Sequence, residues 1–294
     1  MTPDPTLLVA DGWRDYALLD SGDGRKLERY GPVTVIRPEP QAIWRPALDN
    51  EAWTAADAWF EGGEDSTVRW QYARGDVPAT WPMAYGGVTF DAGFTAFRHL
   101  GVFPEQAVHW DWLAGRIAAA DRPVSVLNLF AYTGVASLIA ANAGARVTHL
   151  DASKKAITWA NANQTRAGLD DAPIRWICED ARKFLRREVR RGRQYDLILL
   201  DPPKYGRGPK GEVWRLYEDL GELLGLCRDA LTPDALGLVA TVYAIRLSSV
   251  SLHTALAETL TDWPGTITGG EMGARDGAGR VLSSAVYARW NNAR

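Results

Sequence analysis

Three aspartates stand where short apolar runs end. His149-Leu150 leads into Asp151, Cys178-Glu179 into Asp180 and Leu199-Leu200 into Asp201. An ionised carboxylate only accepts hydrogen bonds. Asp151 therefore suits a pair of ribose hydroxyls, and Asp180 suits an exocyclic amine such as that of adenine. Each also precedes a helix-like stretch, so an N-cap role accounts for either one taken singly. Taken together, and following a strand–turn–helix unit, they describe an adenosine pocket. Asp201 opens Asp201-Pro202-Pro203-Lys204. Two prolines after an apolar strand delay the next helix and stiffen the chain, which holds a carboxylate and its neighbouring carbonyls in fixed geometry. A plain strand terminator is the bland alternative.

The unit that must position these groups is Asn128-Leu129-Phe130-Ala131-Tyr132-Thr133-Gly134. A β-branched run starting at Val124 precedes it, and the helical stretch Val135–Ala143 follows. Such a turn points a helix N-terminus and several backbone N–H groups at one place. A glycine at 134 either lets a ligand approach the backbone or serves packing alone. Beyond it, strands and helices alternate: strands Arg146–Leu150, Ile174–Cys178, Tyr195–Leu200 and Leu236–Tyr243, with helices Ser153–Ala167, Ala181–Arg190 and Val213–Leu231 between them. That rhythm predicts parallel βαβ units in an open, doubly wound sheet. Two further strands, 265–272 and 283–290, flank the turn Asp276-Gly277-Ala278-Gly279 and are expected to pair antiparallel.

Residues 1–92 read differently. Tyr16–Leu19, Val33–Ile36 and 68–72 look like strands, with Ser21-Gly22-Asp23-Gly24 as a turn and Asp49–Phe60 as a helix. This stretch carries 8 Lys/Arg and 15 Asp/Glu, against 25 and 21 in the remainder. The asymmetry places a boundary near residue 92, between a small α+β accessory domain (1–92) and the α/β domain (93–294), and it argues against the first as a phosphate-binding surface. Overall the chain has 294 residues, 46% hydrophobic, net charge -3 and 13 Trp. No apolar run is long enough for a bilayer, and the polar start lacks a basic signal-peptide region. Two cysteines, Cys178 and Cys227, exclude a disulfide framework and a cysteine-built metal site, and both read as small buried hydrophobes. No metal is expected, and the composition predicts a soluble protein of a reducing, cytoplasmic compartment.

As a set, Asn128–Gly134, Asp151, Asp180 and Asp201-Pro202-Pro203-Lys204 resemble the successive motifs of class I S-adenosylmethionine-dependent methyltransferases. The spelling Asn-Leu-Phe-x-Tyr-Thr-Gly followed by Asp-Pro-Pro-Lys, with Gly101-Val102-Phe103-Pro104-Glu105-Gln106 upstream, is similar to the large-subunit ribosomal RNA methyltransferase I-like group. The resemblance covers roughly residues 94 to 290. It implies a Rossmann-like, mostly parallel seven-stranded sheet beside a small strand-rich N-terminal domain. It also implies S-adenosyl-L-methionine as cofactor. The backbone around Phe130, Ala131 and Gly134 would face its methionine part, Gln106 would reach the same end, and Asn128, Tyr132 and Thr133 are further cofactor-binding candidates. Asp151 with Ala152 would hold the ribose, and Asp180 with Ala181 the adenine. Asp201, Pro202 and Lys204 would line the transfer site, where Asp201 orients an N–H acceptor and Lys204 or Tyr243 meets charge on the substrate.

A ribosomal RNA base is the implied acceptor. Cytosine C5 methylation needs a cysteine nucleophile, and Ala240–Ile245, where that cysteine would stand, has none. A protein or small-molecule acceptor, and a non-catalytic cofactor-binding assembly factor, remain as alternatives. Arg182, Lys183, Arg186, Arg187, Arg190, Arg191 and Arg193 read as a solvated helix face whose last turn complements the macrodipole. Lys204, Arg207, Lys210 and Arg215 sit in what reads as a Gly-rich loop suited to phosphates.

Overall fold

The computed structural model describes residues 4–61, 69–243 and 246–292. The backbone divides into two compact units. One is Val108–Met272 with short pieces from both chain ends; the other is Val9–Ala107 with Gly273–Ser284.

After β1 (Thr6–Ala10), the second unit builds a sheet from β2 (Tyr16–Gly22), β3 (Arg25–Tyr30) and β4 (Val33–Pro38). The helix α1 (Asn50–Thr54) then leads into β5 (Ala58–Glu61) and β6 (Arg69–Tyr72), giving the order β2-β3-β4-β5-β6. β7 (Thr80–Tyr85) and β8 (Val88–Gly93) form a separate hairpin. Sequence patterning misses β3, because its inward side carries charge instead of a row of apolar groups. Glu28, 1% exposed, takes Arg37 Nε and Nη2 at 2.7 Å each and the Tyr16 hydroxyl at 3.0 Å. The expected helix Asp49–Phe60 is corrected. Asp49 does cap it, accepting from Ala52 N at 3.0 Å, but it ends at Thr54. The aromatic stretch that follows joins the sheet as β5, as Trp and Phe favour. Val68, the first residue of the expected strand 68–72, lies outside the described residues.

A 3-10 turn, Pro104–Gln106, closes the long segment of the second unit and leads into α2 (Ala107–Ala119). Then follow β9 (Ser125–Leu129), α3 (Val135–Asn142), β10 (Arg146–Asp151), α4 (Lys154–Arg166), β11 (Ile174–Cys178), α5 (Ala181–Arg190) and β12 (Leu197–Leu200). The hairpin β13 (Tyr205–Arg207) and β14 (Val213–Arg215), α6 (Leu216–Asp229), β15 (Gly237–Val242), α7 (Ser249–Thr259), β16 (Thr266–Arg275) and β17 (Val281–Asn291) complete the order. The main sheet runs β1-β16-β17-β15-β12-β9-β10-β11. From β15 to β11 all pairings are parallel, and β17 joins antiparallel to β15.

This is the doubly wound, Rossmann-like architecture, with eight strands where seven are expected, because β1 adds itself beside β16. Parallel strands covered on both faces must be apolar throughout, and Leu197–Leu200 are all buried. One apolar layer packs α5, α6 and α7 on the sheet around Phe184, Leu223 and Leu256; the other face gathers Leu113, Ala140 and Val147. Two expectations need correction here. The helix expected over Val213–Leu231 starts only at Leu216, since Val213-Trp214-Arg215 pairs with Tyr205-Gly206-Arg207. The Gly-rich loop is therefore a β-hairpin. The helix α7 has no counterpart among the elements expected from the sequence. Among the described residues no helix is long and apolar enough to cross a membrane. The chain order reverses at β9, which neighbours both β10 and β12. Such a switch point opens a crevice outside the carboxyl ends of the strands.

Candidate cofactor and active site

The turn between β9 and α3 occupies that switch point. Phe130, Tyr132 and Gly134 all have positive φ, at 56°, 51° and 90°. Each left-handed non-glycine residue costs roughly 1–2 kcal/mol, so the surroundings must over-determine this backbone. They do. Ala131 N donates to Leu150 O at 3.0 Å, Tyr132 N to Asp151 Oδ2 at 2.9 Å, and Asn163 Nδ2 to Thr133 O at 2.9 Å. Below the turn, Asn128 Nδ2 donates to Ser137 Oγ at 3.0 Å, and Ser137 Oγ lies 3.0 Å from His149 Nδ1. Burial pushes His149 down to about 3, so its ring is neutral. A Cβ on Gly134 would stand 3.0 Å from Ala160 Cβ and 3.5 Å from the Trp176 ring. Packing on α4 and the positive φ therefore require this glycine, and the side of it that lacks a Cβ faces protein.

Asp151 ends β10. Besides Tyr132 N it accepts from Ser153 N, at 2.7 Å through Oδ1, while Ser153 itself caps α4. Burial raises the Asp151 pKa against the pull of these two N–H groups. Asp180 caps α5, accepting from Lys183 N through Oδ1 at 3.0 Å, and Ala181 is the first helical residue. The cap reading thus holds for Asp180 and is wrong for Asp151. Strands β9, β10 and β11 are consecutive neighbours, so the turn, Asp151 with Ala152, and Asp180 line one edge in that order. Gln106 lies in the 3-10 turn of the other unit.

Asp201 follows β12, across the switch point from the turn. Asp201 is half-buried, Pro202 is buried, and Pro203 and Lys204 are exposed. The hairpin fixes this segment. Trp214 Nε1 donates to Pro203 O at 2.6 Å, and Leu216 N donates to Lys204 O at 3.1 Å. The Trp214 ring packs 5.3 Å from the Phe130 ring, joining the two sides of the crevice. Sequence reasoning missed Trp214, Ser137, His149 and Asn163 as supports. They act through long-range contacts that carry no local pattern.

The cysteines differ from expectation in one case. Cys227 is buried, but Cys178 is exposed: it ends β11, which is the edge strand and has no neighbour beyond it. The basic helix is also more ordered than a solvated face. Arg182 pairs with Asp219, Arg186 with Glu222, Lys183 with Glu212 and Arg187 with Glu179. Among the described residues no His/Cys/Asp/Glu group is arranged to hold a metal ion.

The sequence model of the S-adenosylmethionine-dependent methyltransferase family matches residues 52–244, and the chain belongs to that family. A solved S-adenosylmethionine-dependent methyltransferase from Agrobacterium tumefaciens is 53% identical, with TM-score 0.95 over 99% of this chain and 94% of that one. Ribosomal RNA large subunit methyltransferase I of Klebsiella pneumoniae is 35% identical over 51% of this chain and 34% of its own length. The K/L enzyme of Shewanella frigidimarina is 32% identical over 50% of this chain and 20% of its own. The match therefore spans about a third of the first of these curated relatives and a fifth of the second.

Proposed function

We propose that the protein transfers a methyl group from S-adenosylmethionine to a base of RNA, most plainly ribosomal RNA, in the cytoplasm and without a cysteine nucleophile. The observation that carries the reading is the run of Phe130–Gly134, Asp151 and Asp180 along three adjacent strand ends, facing Asp201-Pro202 across the switch point. These residues fit an adenosyl sulfonium, since the acids present acceptors and the turn presents backbone donors and aromatic surface. In this proposal Asp151, with Ala152, takes the ribose hydroxyls. Asp180, with Ala181, takes the adenine amine. Phe130, Ala131, Tyr132, Thr133 and Gly134 bound the methionine part, and Asn128 supports them from below.

When bound, the sulfonium supplies an already activated methyl group. What the chain must do is align the acceptor and exclude water. Asp201, or the carbonyl after it, orients an N–H acceptor. Pro202 and Pro203 keep that carbonyl from moving, and Lys204 meets negative charge on the substrate. The RNA assignment draws on the two curated relatives, whose names specify ribosomal RNA.

The test is incubation with methyl-tritiated S-adenosylmethionine and large-subunit ribosomal RNA from cells lacking the gene. Label in one RNA nucleoside after digestion is the expected result. Label confined to protein or small molecules would transfer the reading to those acceptors.

A further inference from the structure

The arginines that end α5 have a different environment from those that begin it. Arg182, Lys183, Arg186 and Arg187 are each held by an acid. Arg190, Arg191 and Arg193 are exposed and have no ion pair among the described residues. The helix starts at the cofactor crevice, at its cap Asp180, and its ten residues run about 15 Å to the opposite edge of the sheet. There, at the amino ends of β9, β10, β11 and β12, lies a cleft of about 410 Å³ lined by Ser125, Arg146, Thr148, Arg175 and Tyr195. Arg146 is exposed and likewise unpaired among the described residues. Arg175 lies over the Phe184 ring of α5 and reaches Glu188 at 3.4 Å, so the cleft and the end of α5 belong to one corner.

Acids at this edge are mostly engaged. Glu188 also accepts from the Tyr195 hydroxyl at 2.8 Å, and Asp196 is taken by Arg122, Ser125 and Thr232. Asp170 and Asp171 rise from the α4–β11 loop and Asp121 from the loop before β9, and the four unpaired arginines outnumber them.

We propose that this arginine corner, Arg146, Arg175, Arg190, Arg191 and Arg193 around the cleft, docks the phosphate backbone of the RNA substrate away from the transfer site. The inference rests on the RNA reading above. Guanidinium groups suit this task, because each offers a planar fork of donors to phosphate oxygens and stays charged at any working pH. An RNA held at both ends of α5 would have its position set by the corner and its chemistry done at the crevice. Such contacts carry affinity and little sequence information.

The test is binding of protein-free large-subunit ribosomal RNA by the full chain across a salt series, comparing wild type with the variant Arg146→Gln/Arg190→Gln/Arg191→Gln/Arg193→Gln. Titration with S-adenosylhomocysteine monitors the fold of each, and the single variants Arg191→Gln and Arg193→Gln stand in should the quadruple variant misfold. The slope of log affinity against log salt should become shallower by about 0.7–0.9 for each arginine that touches a phosphate. KM for RNA should rise at least about tenfold with kcat nearly unchanged, since these contacts are equally strong in the ground and transition states. Arg186→Gln, on the same helix but ion-paired, should leave the slope as it is. Salt-dependent binding by wild type with no change in the variant overturns the corner and spares the RNA reading. Salt-independent or absent RNA binding by wild type overturns both.

Discussion

Asp180 has two duties that a substitution can separate. Its carboxylate caps α5, and in the proposed function it also receives the adenine amine. Serine is as good an N-cap as aspartate, whereas alanine costs about 1 kcal/mol. Asp180→Ser should keep the thermal midpoint and lose donor affinity; Asp180→Ala should lose both. Equal donor affinity in wild type and Asp180→Ser would reduce this residue to a cap. Gly134 tests the turn. At φ 90°, with Ala160 Cβ 3.0 Å from any added methyl, Gly134→Ala should destabilise by about 1–3 kcal/mol through backbone strain, measured by urea denaturation. A neutral result would mean that the turn can relax freely.

At the scale of elements, the β13–β14 hairpin is a brace between the two sides of the crevice. It reaches the turn through Trp214 against Phe130, and the Asp-Pro-Pro-Lys segment through the indole N–H on the Pro203 carbonyl. Trp214→Phe keeps most of the ring and removes that donor. If the carbonyl helps orient the acceptor, kcat should fall by about tenfold or more, because small misplacements at a reacting centre are costly. Binding of S-adenosylhomocysteine should change little. An unchanged kcat would free the hairpin of any part in alignment. The arrangement also explains why the hairpin is invisible to periodicity. Its two strands are three residues each, and their stability comes from Trp214 and Arg182, whose guanidinium lies over the Trp214 ring at 5.8 Å.

For the whole molecule, acid stability follows from groups that the fold keeps in one protonation state. Burial pushes His109 down to about 3, with Arg289 adding to it, His149 also to about 3, and His99 to about 4 with Arg37 and Arg98 adding. All three stay neutral while the unfolded chain takes up protons near pH 6.5. Stability should therefore fall as pH drops below that value, by up to about 1.4 kcal/mol per pH unit for each such histidine, until the folded forms titrate. Glu28 adds a later loss. Burial alone would raise it, but Arg37 and Lys26 outweigh burial and hold it at about 2. Its stabilising contribution is present above 4.5 and disappears as pH falls from there towards 2. A thermal midpoint that is flat from pH 6.5 down to the carboxylate range would contradict these assignments.

How far the sequence reveals this molecule depends on how local each cause is. The central α/β elements are legible because parallel strands buried on both faces must be apolar, and because glycine, proline and capping residues mark their ends. Asp180 does cap a helix, and Asp151 and Asp180 do stand at adjacent strand ends, with Asp201 after β12 on the other side of β9. What is not legible comes from distant partners. β3 is held by a buried ion pair, β1 crosses to a sheet edge formed by the far end of the chain, and His149 and Asn163 brace the turn from elements that follow it. Cys178 is exposed because its strand is last in the sheet, and strand order is not written in any short stretch of residues.

In the proposed function the crevice holds an adenosyl group through Asp151, the acid that ends β10. Titration calorimetry of S-adenosylhomocysteine into wild type and Asp151→Asn tests it directly. Wild type should bind one molecule per chain, and the variant at least about tenfold more weakly, since hydrogen bonds to a charged group are worth about 1.5–3 kcal/mol. No heat with wild type, or equal affinity in the two proteins, would contradict it.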